Sequence, residues 1–124
     1  MKFLLLFTLL ITPLFAYAVD LSKTSQQEIT HLISYLEVSG CQFNRNGTWY
    51  SAVDAVSHIN KKYQYLLDKK LVASAEFFIE KAASVSSMSG KAYLVKCGSA
   101  EAQASAVWFT AELARYRQAN DLTE

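Results

Sequence analysis

Asp54, His58 and Lys62 are spaced i, i+4, i+8, so on a helix they stack along one line. A carboxylate, an imidazole and an ammonium in such a line form either a solvated face of charge pairs or the polar wall of a cleft. Just before them, Arg45-Asn46-Gly47 combines a turn dipeptide with a planar guanidinium fork that suits an anion. A third polar stretch, Ser84-Val85-Ser86-Ser87-Met88-Ser89-Gly90-Lys91, offers hydroxyls, a glycine and a lysine that can hold an anion or a sugar through many weak donors. It is not a phosphate-binding P-loop, because the Gly-x4-Gly-Lys-Ser/Thr spacing is missing. A small hydrolase using His58 with a loop serine is the catalytic reading. It lacks a Gly-x-Ser-x-Gly elbow and an assured third member of the triad. His31 lies among apolar neighbours and reads as boundary packing.

The elements that must position these residues follow from the apolar period. Ser25-Gln26-Gln27-Glu28 has the capping-box pattern, and Ile29, Leu32, Ile33 and Leu36 share a face, which predicts a helix over 25–38 stopped by Gly40. Cys41 to Tyr50 breaks that period around Asn46-Gly47 and reads as a short hairpin or irregular loop. From Ser51 the stripe Ala52, Val56, Ile59, Tyr63 and Leu66 predicts a second helix that ends near Lys69-Lys70. Ser74 can cap a third, with Ala75, Phe78, Ile79, Ala82 and Val85 facing inward. The serines from Ser84 compete with helical hydrogen bonds and should end it. Ala92 to Cys97 reads as a strand beside Gln42–Arg45, and Ser99 to Gln118 as a last, central helix. The fold expected is mainly α: a small four-helix domain with a short two-stranded β element and one disulfide.

Composition narrows the function. In 124 residues, 12 basic side chains face 11 acidic ones and 52% of residues are hydrophobic, which excludes a disordered chain and gives no electrostatic footprint for nucleic acid. Met1-Lys2, the apolar run from Phe3 and Ala16-Tyr17-Ala18 have the layout of a secretory signal peptide cut after Ala18, too short and too interrupted by Pro13 for a membrane anchor. Residues 1–18 are thus expected to be a leader and 19–124 a single small helical domain, with no membrane span after cleavage. Cys41 and Cys97 are the only cysteines. In an exported chain they are expected to pair, since neither zinc spacing nor a Cys-x-x-Cys motif is present. No cofactor and no metal is expected.

Two stretches carry a resemblance: Arg45-Asn46-Gly47 with Tyr50, Ala55, His58 and Lys62, and Ala75-Glu76, Phe78-Ile79, Ser84, Ser86-Ser87, Ser89-Gly90-Lys91, Tyr93 and Val95. In these the chain resembles the YfeK-like family of small exported bacterial proteins, with Ala92 standing where a proline is expected. The resemblance implies a periplasmic protein of a Gram-negative cell and no particular activity. It adds weight to Arg45, Asn46, His58, Lys62, Ser87 and Ser89 as one surface. Ser89-Gly90-Lys91-Ala92-Tyr93 is also similar to the Ser-Gly-x-x-Tyr motif of periplasmic C-type lysozyme inhibitors. In that family the motif's serine, Ser89 here, enters the lysozyme cleft, but the family is an antiparallel β barrel and this chain reads helical. The expectation taken forward is a non-enzymatic envelope protein, secreted or periplasmic, whose binding residues Arg45, Asn46, His58, Lys62, Ser87, Ser89 and Lys91 meet an anionic or sugar-like partner.

Overall fold

A computed structural model of the chain describes residues 21–121, so the leader expected over residues 1–18 lies outside the described residues. The chain order is α1 (Lys23–Val38), β1 (Gln42–Arg45), β2 (Thr48–Ser51), α2 (Ala52–Asp68), α3 (Ala75–Ala82), β3 (Leu94–Lys96), β4 (Gln103–Ala104) and α4 (Ser105–Asp121).

Three of the helices start where serine hydroxyls accept orphan amides. Ser22 takes the N–H of Ser25, Ser51 that of Asp54 and Ser74 that of Phe77. Thus α1 begins at Lys23, ahead of the expected Ser25 box. Glu28, the acidic member of that box, is 6% exposed and paired instead with Arg117 of α4. α3 stops at Ala82, short of the expected Val85, where the Ser84 hydroxyl donates to the carbonyl of Ile79. Val85 leaves the helix and bridges Ala92.

The β element is larger than expected. Four antiparallel strands lie in the order β2-β1-β3-β4. Asn46 and Gly47, at φ 52° and 85°, make the tight β1–β2 turn, a conformation that favours these two residue types. β3 joins β1 with Gln42 opposite Lys96 and Phe43 opposite Val95, the neighbourhood expected for that strand. β4 is formed by residues expected to be the first turns of the last helix: Gln103 and Ala104 pair with Val95 and Leu94. Alanine content alone drew the helix too far back. Six residues separate Gly98 from the true helix start at Ser105, and the sheet claims the last two of them.

Cys41 and Cys97 form the expected disulfide, with Cα atoms 4.3 Å apart, one step beyond the Gln42–Lys96 pair in the same antiparallel register. The staple therefore locks the β1–β3 seam. The core runs from Ile29, Leu32 and Leu36 of α1 through Phe78 and Phe109 to Phe43, Tyr93 and Val95 on the sheet. Only one side of α4 enters it, through Trp108, Phe109 and Leu113, while Val107 is exposed, so that helix is peripheral rather than central.

Candidate functional site

β2 runs directly into α2, and both β1 and β2 pack on that helix. Arg45 closes β1, and its side chain lies over α2. One guanidinium N–H donates to His58 Nδ1 at 2.5 Å. Arginine can only donate, so Nδ1 is an acceptor and the ring proton sits on Nε2. That nitrogen then donates to the Tyr93 hydroxyl oxygen at 3.1 Å. Lys62, one turn along α2, donates to the same hydroxyl at 3.2 Å and to the Val85 carbonyl at 2.9 Å. Arg45, His58, Tyr93 and Lys62 are therefore one chain of hydrogen bonds. The Arg45 guanidinium spans the distance from the end of β1 to α2 directly.

Electrostatics fix the protonation of this chain. His58 is pushed down from 6.5 to about 4, first by burial and then by the charges of Arg45, Lys62 and Lys61. The imidazole is neutral near pH 7. Burial, with Arg45 second, lowers Lys62, and burial raises Tyr93. Arg45 also lies over the Tyr50 ring, 5.8 Å from its centroid. A cavity of about 150 Å³ opens here, lined by Phe43, Arg45, Tyr50, Asp54, Ala55 and His58. Asp54 is thus at its border. Among the described residues no carboxylate forms an ion pair with Arg45 or Lys62.

The serine loop meets the hairpin turn beside this chain. Asn46 Nδ2 donates to Ser86 Oγ at 3.2 Å, and Ser89 Oγ donates to Asn46 Oδ1 at 2.6 Å. The loop closes on itself through Ser86 N–H to Lys91 O and Gly90 N–H to Ser86 O. Asn46 therefore latches the turn to the loop, donating to Ser86 and accepting from Ser89. Ser87 lies apart from that latch, in a neighbouring groove with Lys61, Lys62 and Lys81. Lys91 is exposed and enters the network only through its backbone. Of the seven binding residues expected, the structure joins Arg45, His58 and Lys62 in one chain, sets Asn46 and Ser89 beside it, and leaves Ser87 and Lys91 outside.

Tyr93 was not among the expected site residues, although its place two residues after Lys91 in the strand segment was the available signal. A second polar system also escaped sequence reading. Glu112, 4% exposed, accepts from Arg115 and from His31 Nε2, and His31 stacks on Tyr116 at 4.2 Å. Arg117 bridges Glu28 and Glu76. These pairs link residues as far as 89 positions apart, which no local period reveals.

Neither ring nitrogen of His58 hydrogen-bonds a serine hydroxyl, the contact the hydrolase reading needs. Tyr93 is 1% exposed and Ser89 is bonded to Asn46, in an open sheet with four helices rather than the barrel implied by the inhibitor motif. Among the described residues no three His, Cys, Asp or Glu side chains gather as a metal site would need, and no helix is long and apolar enough to cross a membrane.

Residues 23–117 match the sequence profile of a family described as "Family of unknown function (DUF5329)", and the chain belongs to that family. No curated protein and no solved structure matches it.

Proposed function

We propose that this member of the family of unknown function is an exported binding protein of the cell envelope that captures an anionic or sugar-like group at Arg45, His58 and Lys62. The single observation that carries the reading is the uncompensated charge. Arg45 spends a hydrogen bond on a neutral imidazole, and Lys62 spends two on a phenol and a carbonyl. Lys62 is lowered first by its burial and second by the nearby charge of Arg45. Like charges held together in this way relax when an anion arrives, and that relaxation is binding energy. The Asn46–Ser86–Ser89 latch fixes the hairpin turn from which Arg45 projects, so little ordering remains to be done on binding.

Export rests on the signal-like leader over 1–18 and agrees with the disulfide, which persists in oxidising compartments. The likeness to the YfeK-like proteins points to the same place, a Gram-negative periplasm. The role is binding without chemistry, because both ring nitrogens of the one imidazole in the cluster are already engaged.

The test is a thermal-shift and calorimetric comparison of uronate, sugar phosphate and sulfated sugar against their neutral parent sugars. Saturable binding of an anionic member, weakened at least tenfold by Arg45→Ala, supports the reading. Equal or absent responses to charged and neutral compounds overturn it.

A further inference from the structure

Beside the Arg45 cluster, and on the other side of Lys62, α2, the end of α3 and the serine loop enclose a groove of about 280 Å³ lined by Lys61, Lys62, Tyr65, Leu66, Lys81 and Ser87. Three features make it more than a dent between helices. Its floor is apolar, with Leu66 and the 61% exposed Tyr65 in its lining, and the exposed Val85 and Met88 stand within two residues of Ser87 in the chain. Its rim is cationic. Lys61 and Lys81 are exposed, and among the described residues the one carboxylate paired with them is Glu80, 3.8 Å from Lys81 with both side chains in solvent, a contact of little strength. Lys62 has used two of its three ammonium hydrogens on neutral acceptors, which leaves its charge and its third donor available.

We infer that this groove is a second binding site, for a small amphiphilic anion whose carboxylate, phosphate or sulfonate head meets Lys61, Lys81 and the Ser87 hydroxyl while its apolar or aromatic body lies on Tyr65 and Leu66. Charge complementarity selects the head, because three lysines, Lys61, Lys62 and Lys81, line the groove. Size selects the body, because the volume admits a ring system or a short chain and not a protein segment. The groove is lined apart from the cavity beside Arg45, although Lys62 belongs to the Arg45 hydrogen-bond chain and the charge of Lys61 also reaches His58.

The experiment uses the purified chain and 8-anilinonaphthalene-1-sulfonate, which fluoresces when its rings leave water, against N-phenyl-1-naphthylamine, the same ring body without the sulfonate. Saturable binding of the sulfonate at one equivalent is expected, with amide shifts in NMR centred on Tyr65 and Ser87. The Lys61→Gln/Lys81→Gln double variant should weaken it roughly five- to tenfold, and Lys81→Glu alone should weaken it more than Lys81→Gln. Both lysines are exposed, so these variants keep the fold, and an unchanged thermal midpoint checks that. Arg45→Ala should leave sulfonate binding unchanged, so loss at one site is told apart from loss at the other. No saturable binding, an unaltered affinity in the double lysine variant, or equal binding of the neutral amine would each overturn the inference.

Discussion

Replacing Tyr93 with Phe removes one oxygen from the centre of the cluster and nothing else. The ring is 1% exposed and packs against Phe43 with centroids 5.1 Å apart, and Phe preserves that packing. What is lost is the acceptor shared by His58 Nε2 and Lys62 Nζ. A neutral hydrogen bond contributes about 0.5–1.5 kcal/mol net and one to a charged donor about 1.5–3. Both donors are partly exposed, so water can replace the oxygen, and Lys62 keeps its bond to Val85. The gain from no longer burying a hydroxyl offsets part of the remainder. The expected loss is therefore about 1–2 kcal/mol, or roughly 4–15 °C in Tm for a domain of this size. Tyr93→Ala, which also opens a cavity, should cost about 3–5 kcal/mol. Urea unfolding followed by circular dichroism measures both. A double-mutant cycle with Lys62→Met should give a coupling of about 0.5–1.5 kcal/mol. Tyr93→Phe within about 0.3 kcal/mol of wild type, with no coupling to Lys62, would refute the shared-acceptor account.

Acid should also find His58. Between pH 6.5 and about 4 the unfolded imidazole takes up a proton that the folded one refuses, so stability falls as pH falls through that window. The full difference corresponds to about 3 kcal/mol, and solvent screening at a partly exposed ring reduces it to about 1–2. Stability curves of wild type and His58→Asn should converge toward pH 4 by that amount, and parallel curves would show that burial of the ring is unimportant. Reducing the Cys41–Cys97 bond should cost about 2–4 kcal/mol by chemical denaturation, near the limit of the loop-entropy argument, and a loss under 1 kcal/mol would mean that the β1–β3 seam holds without it. Arg117→Ala strands the buried carboxylate of Glu28 and should cost about 2 kcal/mol, less than a fully buried pair because Arg117 is itself 43% exposed. Arg117→Ala/Glu28→Leu should recover most of that loss, and no recovery would mean that the guanidinium acts through other contacts.

What sequence could see was local. Ser51 and Ser74 announce their helices because a cap needs only the next three residues, and Asn46-Gly47 announces its turn for the same reason. The convergence of hairpin, second helix and serine loop was legible from the i, i+4 spacing of His58 and Lys62 together with the disulfide that ties β3 to β1. The misses are all long-range. β4 is a strand only because β3 offers it an edge, and its own residues, Gln103 and Ala104, carry no strand preference. Glu28 looked like a capping residue until Arg117 claimed it from the far end of the chain. Ser87 and Lys91 share a loop with Ser86 and Ser89 but face away from the latch, and composition does not tell one serine's direction from another's.

The central claim is that Arg45 and Lys62 hold an uncompensated positive field for an anion. The proton resonances of the His58 imidazole report that field directly, and sulfate probes it without titrating itself in the relevant range. His58 is expected to titrate near 4 in a chloride buffer of matched ionic strength and to move up by about one pH unit or more at saturating sulfate, with the shift lost in Arg45→Ala. A His58 that titrates near 6.5 in both buffers, or one that sulfate does not move, would contradict it.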